Sequence, residues 1–562
     1  MKSFNLKVVN RFLAIAKLYW LGNEGLGATV LIILLGLLLL ANTGSKVFLN
    51  AQQGEWISAL SKLDSQRFWR TVIVASAGIV FFGLINSAYG YLREKIGLYW
   101  RRWLTHYFLS KYFSDRTFYN LAHSQQELDN PDQRISEDIV SFCQQSILFV
   151  ANLLESTLTV IFFSNILWSI SKNLVFALII YSILAYGITI SFYGTKLTNL
   201  NIEQLKKEAN FRFGLIRIRE NAESIAFYNG INQEDNKVKS LFDHLFNNFK
   251  LLILWSELYL NIFKYPFGNL TWVIPGVILA HKVIEGNLEV GKVIEAGGAF
   301  GTVAFSVNLI MYQFDKYTKF AASINRLYNF YQYLEHPKPQ ITEQSNIDIV
   351  TANHVSIKNL TLQTPNSKKT LFKNLNLELP PGQGLLVMGD SGCGKTSLLR
   401  ALAGLWNSGE GVIFRPELTE IIFLPQRPYM ILGSLREQLI YPHTQTNLCD
   451  EELYKILRQV NLEHLTTQYQ SLDIEQDWSD TLSLGEQQRL AFARLLVNKP
   501  QYAILDESTS ALDVKNEESL YNLLLETGIT FISVGHRPTL KTFHQWVLVL
   551  SPNDILLSKT EN

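Results

Sequence analysis

GLLVMGDSGCGKTSLLRALAGL, residues 384–405, sets an apolar run before a glycine-rich turn and a helical pattern after it. The turn itself, Gly389-Asp390-Ser391-Gly392-Cys393-Gly394-Lys395-Thr396, has the phosphate-binding spacing G-x-x-x-x-G-K-[ST]. Its glycines let backbone N–H groups approach phosphate oxygens, and a helix opening at Lys395-Thr396-Ser397 adds a favourable field. Lys395 is placed to neutralise β- and γ-phosphates and Thr396 to ligate Mg²⁺. Cys393 fills a variable position as a small side chain with no redox role.

Outward from this loop, residues 350–562 alternate short apolar runs (TEIIFLP at 419–425, YAILDE at 502–507, TFISVG at 530–535) with helical stretches. That alternation predicts an α/β domain with a mainly parallel sheet. The run from Tyr502 ends in two carboxylates. Asp506 falls near the Mg²⁺ shell, and Glu507 falls where it can polarise an attacking water.

The other side of the loop has a different solvent. Apolar runs near 28–41, 71–91, 147–170, 174–194, 262–283 and 293–314 each approach the ~20 residues that cross a hydrocarbon core. Pro266, Pro275 and several glycines interrupt the last two, which membrane helices tolerate. Lys and Arg collect before the first run and in the segments 92–146 and 195–261, leaving the alternate segments poor. By the positive-inside rule the N-terminus, both long segments and everything after the sixth span are cytoplasmic. Residues 4–22 mix cations with apolar side chains, as an interfacial helix does. No cleavable leader is expected, nor a peroxisomal or organelle address. The predicted division is an interfacial helix at 1–26, a transmembrane domain at 27–335, a linker at 336–349 and the α/β domain at 350–562.

Composition agrees with this split. Charged residues are 18% of the 562, and 50 basic against 49 acidic residues leave a net charge of +1. No global basic field recruits nucleic acid. Three cysteines cannot build a disulfide framework or a four-thiolate zinc site.

Between the loop and the carboxylates lies Leu482-Ser483-Leu484-Gly485-Glu486-Gln487-Gln488-Arg489. It resembles the signature sequence of ATP-binding cassette (ABC) proteins, with Leu484 where Gly is common. Gln426 in FLPQRPYM resembles that family's Q-loop glutamine, Ser510-Ala-Leu-Asp513 its D-loop, and His536 in SVGHRPTL its switch histidine. The resemblance implies ATP and Mg²⁺ as cofactors. It assigns Glu507, His536 and Gln426 to catalysis, and Thr396, Gln426 and Asp506 to the metal. The loop residues Gly389 to Ser397 then bind nucleotide together with Ser483, Gly485, Glu486 and Asp513. One departure is the stretch 360–365, which has no aromatic to stack on adenine; Phe372 is the nearest. His106, His244 and His464 read as structural or solvent-facing.

The implied fold is an α-helical six-span transmembrane domain (type IV ABC exporter-like) followed by an α/β P-loop cassette. One membrane half with one cassette is a half-transporter. Ser483 serves the nucleotide of an opposite cassette, so a second copy of the chain is the implied partner, alongside the lipid bilayer and a transported solute. NPDQRISEDI at 130–139, RENAESIAFYNG at 219–230 and PGVILAHKVIEGNLEVGKV at 275–293 are similar to one branch. It holds the peroxisomal acyl-CoA transporters, the lysosomal cobalamin-associated transporter and the bacterial SbmA/BacA-like cobalamin, bleomycin and antimicrobial-peptide group. Arg134–Asp138 and Glu220–Tyr228 would then lie at cytoplasmic elbows. Glu155, Lys264 and Trp272 are the candidate cavity residues, charges being expensive in lipid. The expected solute is large and hydrophilic, a corrinoid or peptide, with amphipathic lipids or exported drugs as alternatives and an ATP-dependent scaffold as a remote one. A bacterial inner membrane is the expected home.

Overall fold

The computed structural model describes residues 6–22, 25–123, 131–312, 314–335, 347–364, 369–551 and 555–560. Most of the expected linker, residues 336–346, lies outside them, as does Asn130 of the first elbow segment. Chain contacts divide the protein into two compact units, Met1–Lys338 and Pro339–Asn562.

The first unit is helical. Its principal elements are α1 (Leu6–Trp20), α2 (Gly25–Ser61), α3 (Ser65–Phe113), α4 (Ile139–Ile170), α5 (Lys172–Ile188), α6 (Thr195–Glu220), α7 (Ile231–Ile253), α8 (Leu260–Ile284), α9 (Val290–Tyr312) and α10 (Phe314–Glu335). Among the described residues five helices are long and apolar enough to cross a membrane, and a sixth apolar helix at Lys172–Ala185 is shorter. Side chains such as Ile33, Leu37, Val80, Phe81, Leu84, Ile180 and Ile183 are exposed along them. A water-facing surface of that kind would be unstable, whereas a lipid-facing one is not.

The helices outrun the bilayer. At 1.5 Å per residue the 49-residue α3 is roughly 70 Å long, over twice the hydrocarbon thickness. Its second half turns polar and packs instead of facing lipid. There Leu92, Ile96, Trp100, Leu104 and Phe108 form one core with Phe142 of α4 and Phe320, Ile324, Leu327 and Phe330 of α10. The amphipathic α1 closes this core with Val8, Ile15, Ala16 and Tyr19, and Tyr19 stacks on Trp100 at 6.0 Å between centroids. Arg326 of α10 and Arg134 both pair with the buried Asp138 at the head of α4.

At the other end, the turns α2–α3 and α8–α9 are laced by ions. Arg67 bonds Glu55 at 2.6 Å and Glu289 at 3.0 Å, and Lys62 reaches the same Glu289. Nearby α2 and α9 nearly touch: a Cβ built at Gly291 would sit 1.8 Å from the Gly54 carbonyl oxygen.

The second unit carries β1 (Ile347–Thr351), β2 (Val355–Gln363), β3 (Thr370–Leu379), β4 (Gly384–Gly389), α11 (Lys395–Leu402), β5 (Gly409–Arg415), β6 (Ile421–Leu424), α12 (Leu435–Ile440), α13 (Glu463–Tyr469), α14 (Leu484–Asn498), β7 (Tyr502–Asp506), α15 (Val514–Glu526), β8 (Thr530–Val534), β9 (Trp546–Leu550) and β10 (Ile555–Lys559). Six strands form the sheet β10-β9-β4-β8-β7-β6, parallel except for the β9–β10 hairpin. Strand β8 lies between the phosphate loop's strand and the carboxylates' strand, with Val534 level with both Val387 and Asp506. A second sheet, β1-β5-β2-β3, is built largely of antiparallel pairs. The mainly parallel sheet expected from the sequence is the six-stranded one, and the four-stranded sheet is additional to it. Strands β2 and β3 alternate buried and exposed residues less regularly than a half-buried strand should, because register shifts interrupt their pairing.

Candidate functional site

The loop after β4 takes its shape from three glycines in the left-handed half of backbone space: Gly389 at φ 147°, Gly392 at 81° and Gly394 at 105°. A Cβ at Gly389 would strike the Leu550 carbonyl oxygen at 2.2 Å, so β9 and the loop close up only around glycine. Asp390 and Ser391 are exposed on the rim, while Cys393 is buried in the core beneath it. Lys395, itself buried, donates from Nζ to the carbonyls of Gly389 at 2.8 Å and Asp390 at 2.9 Å. Its ammonium is thus poised over the loop's hollow. Thr396 and Ser397 open α11, and the Thr396 hydroxyl lies 3.4 Å from Asp506 Oδ1. Burial raises the Asp506 pKa above the ordinary carboxylate range, opposed by that hydroxyl. An oxygen-only pair of hydroxyl and half-buried carboxylate beside a phosphate cradle suits a hard divalent cation such as Mg²⁺.

Glu507 sits one residue beyond β7 with φ 48°, and its N–H donates to the Val534 carbonyl at 3.1 Å. Gln426 Nε2 donates to one Glu507 carboxylate oxygen at 2.9 Å, and His536 Nε2 lies 3.3 Å from the other. Three segments far apart in sequence thus meet on one carboxylate. A carboxylate so oriented can accept a proton from a water beside a phosphate.

The signature segment starts α14. Ser483 is its N-cap, and Glu486 closes a capping box. The Ser483 hydroxyl donates to Glu486 at 2.6 Å, and the Ser483 N–H donates to the same oxygen at 2.9 Å. His464 of α13 holds the other oxygen of Glu486 at 2.8 Å. Partial burial would raise the Glu486 pKa, but Ser483 and His464 together draw it below the ordinary range. His464 therefore has a charged partner that the sequence did not indicate. Gly485 packs beside Ala511 and Leu512 of the D-loop. Asp513 is the N-cap of α15; its acceptance from the Asn516 N–H is the largest influence lowering its pKa.

Some of the site's organisation rests on residues the sequence did not single out. Gln488, fully buried, donates to the Gln426 carbonyl at 3.0 Å and to Ser510 at 3.3 Å, and accepts from the Ala511 N–H at 3.0 Å. It therefore joins Q-loop, D-loop and signature helix. Arg537, next to His536, donates to the Leu512 and Ser510 carbonyls and pairs with the buried Glu517. No local pattern marked either residue, since Gln488 is flanked by Gln487 and Arg489, and Arg537 by His536 and Pro538.

Phe372, the nearest candidate for adenine stacking, is buried in the core and presents no face to a base. In the membrane unit Glu155 is bonded to Lys46 of α2 at 2.6 Å, so its charge is matched across two helices. Lys264 lies near the start of α8, and Trp272 is exposed on the same helix with its ring against Gly297 of α9.

Residues 16–284 match the family described as ABC transporter transmembrane region 2, and residues 372–510 match the ABC transporter family. An uncharacterized ABC transporter ATP-binding protein of Synechocystis sp. is 46% identical over 92% of this chain and 79% of its own. ABC transporter D family member 2, chloroplastic, of Arabidopsis thaliana is 36% identical over 98% and 88%. The human lysosomal cobalamin transporter ABCD4 is 30% identical over 97% and 95%. A solved bacterial Atm1-family ABC exporter with ATP bound shares the fold at a TM-score of 0.75, with 17% identity and 96% of each chain covered. A phosphate loop, a paired-carboxylate strand and a signature helix on one cassette, fused to membrane helices, thus coincide with whole-length kinship. The chain belongs to the ABC transporter family, as a subfamily D-type half-transporter that binds ATP and couples its hydrolysis to transport.

Proposed function

We propose that two copies of the chain form the working transporter. Ser483 and Gly485 of one cassette complete the ATP site built on the phosphate loop of the other, so twelve spans and two such sites make up the homodimer. The observation that carries this reading is the intact hydrolytic set in a single chain: Glu507 gripped by both Gln426 and His536. Each site of a homodimer then has its own base. Thr396, Asp506 and Gln426 hold Mg²⁺, which when bound neutralises phosphate charge. Lys395 exchanges its loop carbonyls for β- and γ-phosphate oxygens. Glu507 orients the attacking water and takes its proton, and His536 and Gln426 keep the carboxylate aimed. ATP between the cassettes draws them together, and hydrolysis releases them, alternating the membrane cavity's access.

The transmembrane domain in this reading spans 27–335, after an interfacial helix at 1–26, and the linker 336–349 leads to the cassette at 350–562. N-terminus and cassette are cytoplasmic, in a bacterial inner membrane. The solute is large and hydrophilic, a corrinoid or a peptide, bound between the two membrane halves with Glu155, Lys264 and Trp272 among its contacts. Whole-length kinship to a cobalamin transporter supports this choice. The test is ATPase activity of the protein in lipid nanodiscs, with cobalamin, a cationic peptide or a long-chain acyl-CoA added and Glu507→Gln as control. Stimulation by cobalamin or peptide, lost in the variant, is the expected result. Stimulation by acyl-CoA alone would overturn the solute and leave the transporter. No hydrolysis above the variant would remove the catalytic reading altogether.

A further inference from the structure

The start of α14 is a helix N-terminus already filled by an anion of its own chain. Glu486 takes both donors that Ser483 offers, hydroxyl and N–H, with one carboxylate oxygen. A γ-phosphate arriving there must displace that oxygen and then sit beside a negative charge. The other oxygen of Glu486 is bonded to His464, whose side chain is 48% exposed and so open to bulk protons. Among the described residues, His464 is the charged group that lowers the Glu486 pKa. Arg489, one turn along α14, acts on Asp513, and Glu463, next to His464, is paired with Arg458.

We propose that His464 is a positioning residue for ATP. Protonated, it cancels the charge of the Glu486 carboxylate that it shares with Ser483, so that the γ-phosphate of the opposite cassette meets no net repulsion at the N-terminus of α14. Deprotonated, it leaves Glu486 as a competing anion. ATP-driven closure is therefore favoured when His464 carries its proton. This rests on the reading of Ser483 as a ligand in trans.

The experiment is steady-state ATPase of the full-length protein in nanodiscs between about pH 6 and 8.5, recording KM and kcat separately. The wild type should show a KM for ATP that rises with pH. His464→Gln should show the high value already at pH 6, raised about 2- to 5-fold as for loss of one partly exposed ion pair, with kcat little changed. Glu486→Gln, which removes the competing charge, should lower KM and abolish its dependence on His464, so that the double variant matches Glu486→Gln alone. Only the difference from wild type at each pH is read. His464→Gln following the wild-type KM at every pH overturns the proposal, as does a purely kcat effect. Ser483→Ala separates the two levels. If it leaves KM and kcat intact, the trans reading itself fails; if it cripples turnover while His464→Gln is silent, only the present inference falls. Thermal unfolding of each variant at one pH confirms that the comparison is between folded proteins.

Discussion

Gln426 and Glu507, 81 residues apart, are joined by a 2.9 Å hydrogen bond from amide nitrogen to carboxylate oxygen. The bond crosses from the end of β6 to the end of β7, adjacent parallel strands, so sheet register alone brings the Q-loop to the carboxylate. What fixes the Gln426 backbone is Gln488 behind it.

Gln488→Leu should therefore slow turnover rather than weaken binding. The isosteric loss leaves the Gln426 carbonyl and the Ala511 N–H without their buried partner, at about 1–3 kcal/mol each. We expect kcat to fall about tenfold or more with little change in nucleotide affinity. Fluorescent-nucleotide binding alongside ATPase assays measures both, and an unchanged kcat would refute the role.

Arg494 is buried in α14 and reaches Gln438 of α12 through its carbonyl at 2.8 Å and its side chain at 3.2 Å, with Tyr441 beneath the guanidinium. Burial depresses its pKa to about 10, yet it stays charged at neutral pH. Gln438→Leu removes one acceptor from a buried cation and should destabilise the cassette by about 2–3 kcal/mol. Arg494→Met, which removes the charge as well, should cost less than Arg494→Lys. Thermal unfolding of the full chain ranks the three.

His544 is buried, with Nδ1 2.6 Å from the Leu540 carbonyl and Nε2 2.8 Å from Ser533 Oγ, and burial lowers its pKa to about 4. A depressed folded-state value means that the unfolded chain binds the proton first. Its stabilising contribution is full above about pH 6.5 and is lost as pH falls toward 4, up to about 3 kcal/mol. His544→Gln should be less stable at pH 7.5 but lose less of its stability between pH 7 and pH 5, as followed by unfolding temperature.

Lys46 and Glu155 neutralise each other between α2 and α4. Removing either alone leaves a charge in a membrane-spanning region, whereas removing both does not. Lys46→Met and Glu155→Gln should each lower the thermal stability of the detergent-solubilised protein by more than the double variant does. Equal effects of single and double variants would show the pair to be uncoupled.

Gly291→Val should separate α9 from α2, since even a Cβ there meets the Gly54 carbonyl and Ser58 Oγ. Overpacking of this kind costs about 1–3 kcal/mol. Gly27→Val, whose Cβ position is open, is the control expected to stay near wild type.

Much of this protein was legible without coordinates, because its signals are local. A phosphate loop needs glycines and a lysine within eight residues, and a span needs one long apolar run. Both are dictated by chemistry that neighbouring residues supply themselves: backbone donors converging on an anion, or backbone groups satisfied within one helix in lipid. The carboxylates Asp506 and Glu507 were readable for the same reason, standing where an apolar strand stops. The partners of those groups were a different matter. Nothing in the sequence tells that Gln488 rather than Gln487 is buried beneath Gln426, that His464 meets Glu486, or that Lys46 meets Glu155. Nor did it reveal the second sheet, whose strands pair with shifted registers. The spacing of residues along a chain fixes which element each belongs to; which face it turns, and to whom, is settled only when elements from distant parts of the chain pack and every buried polar group must find its partner.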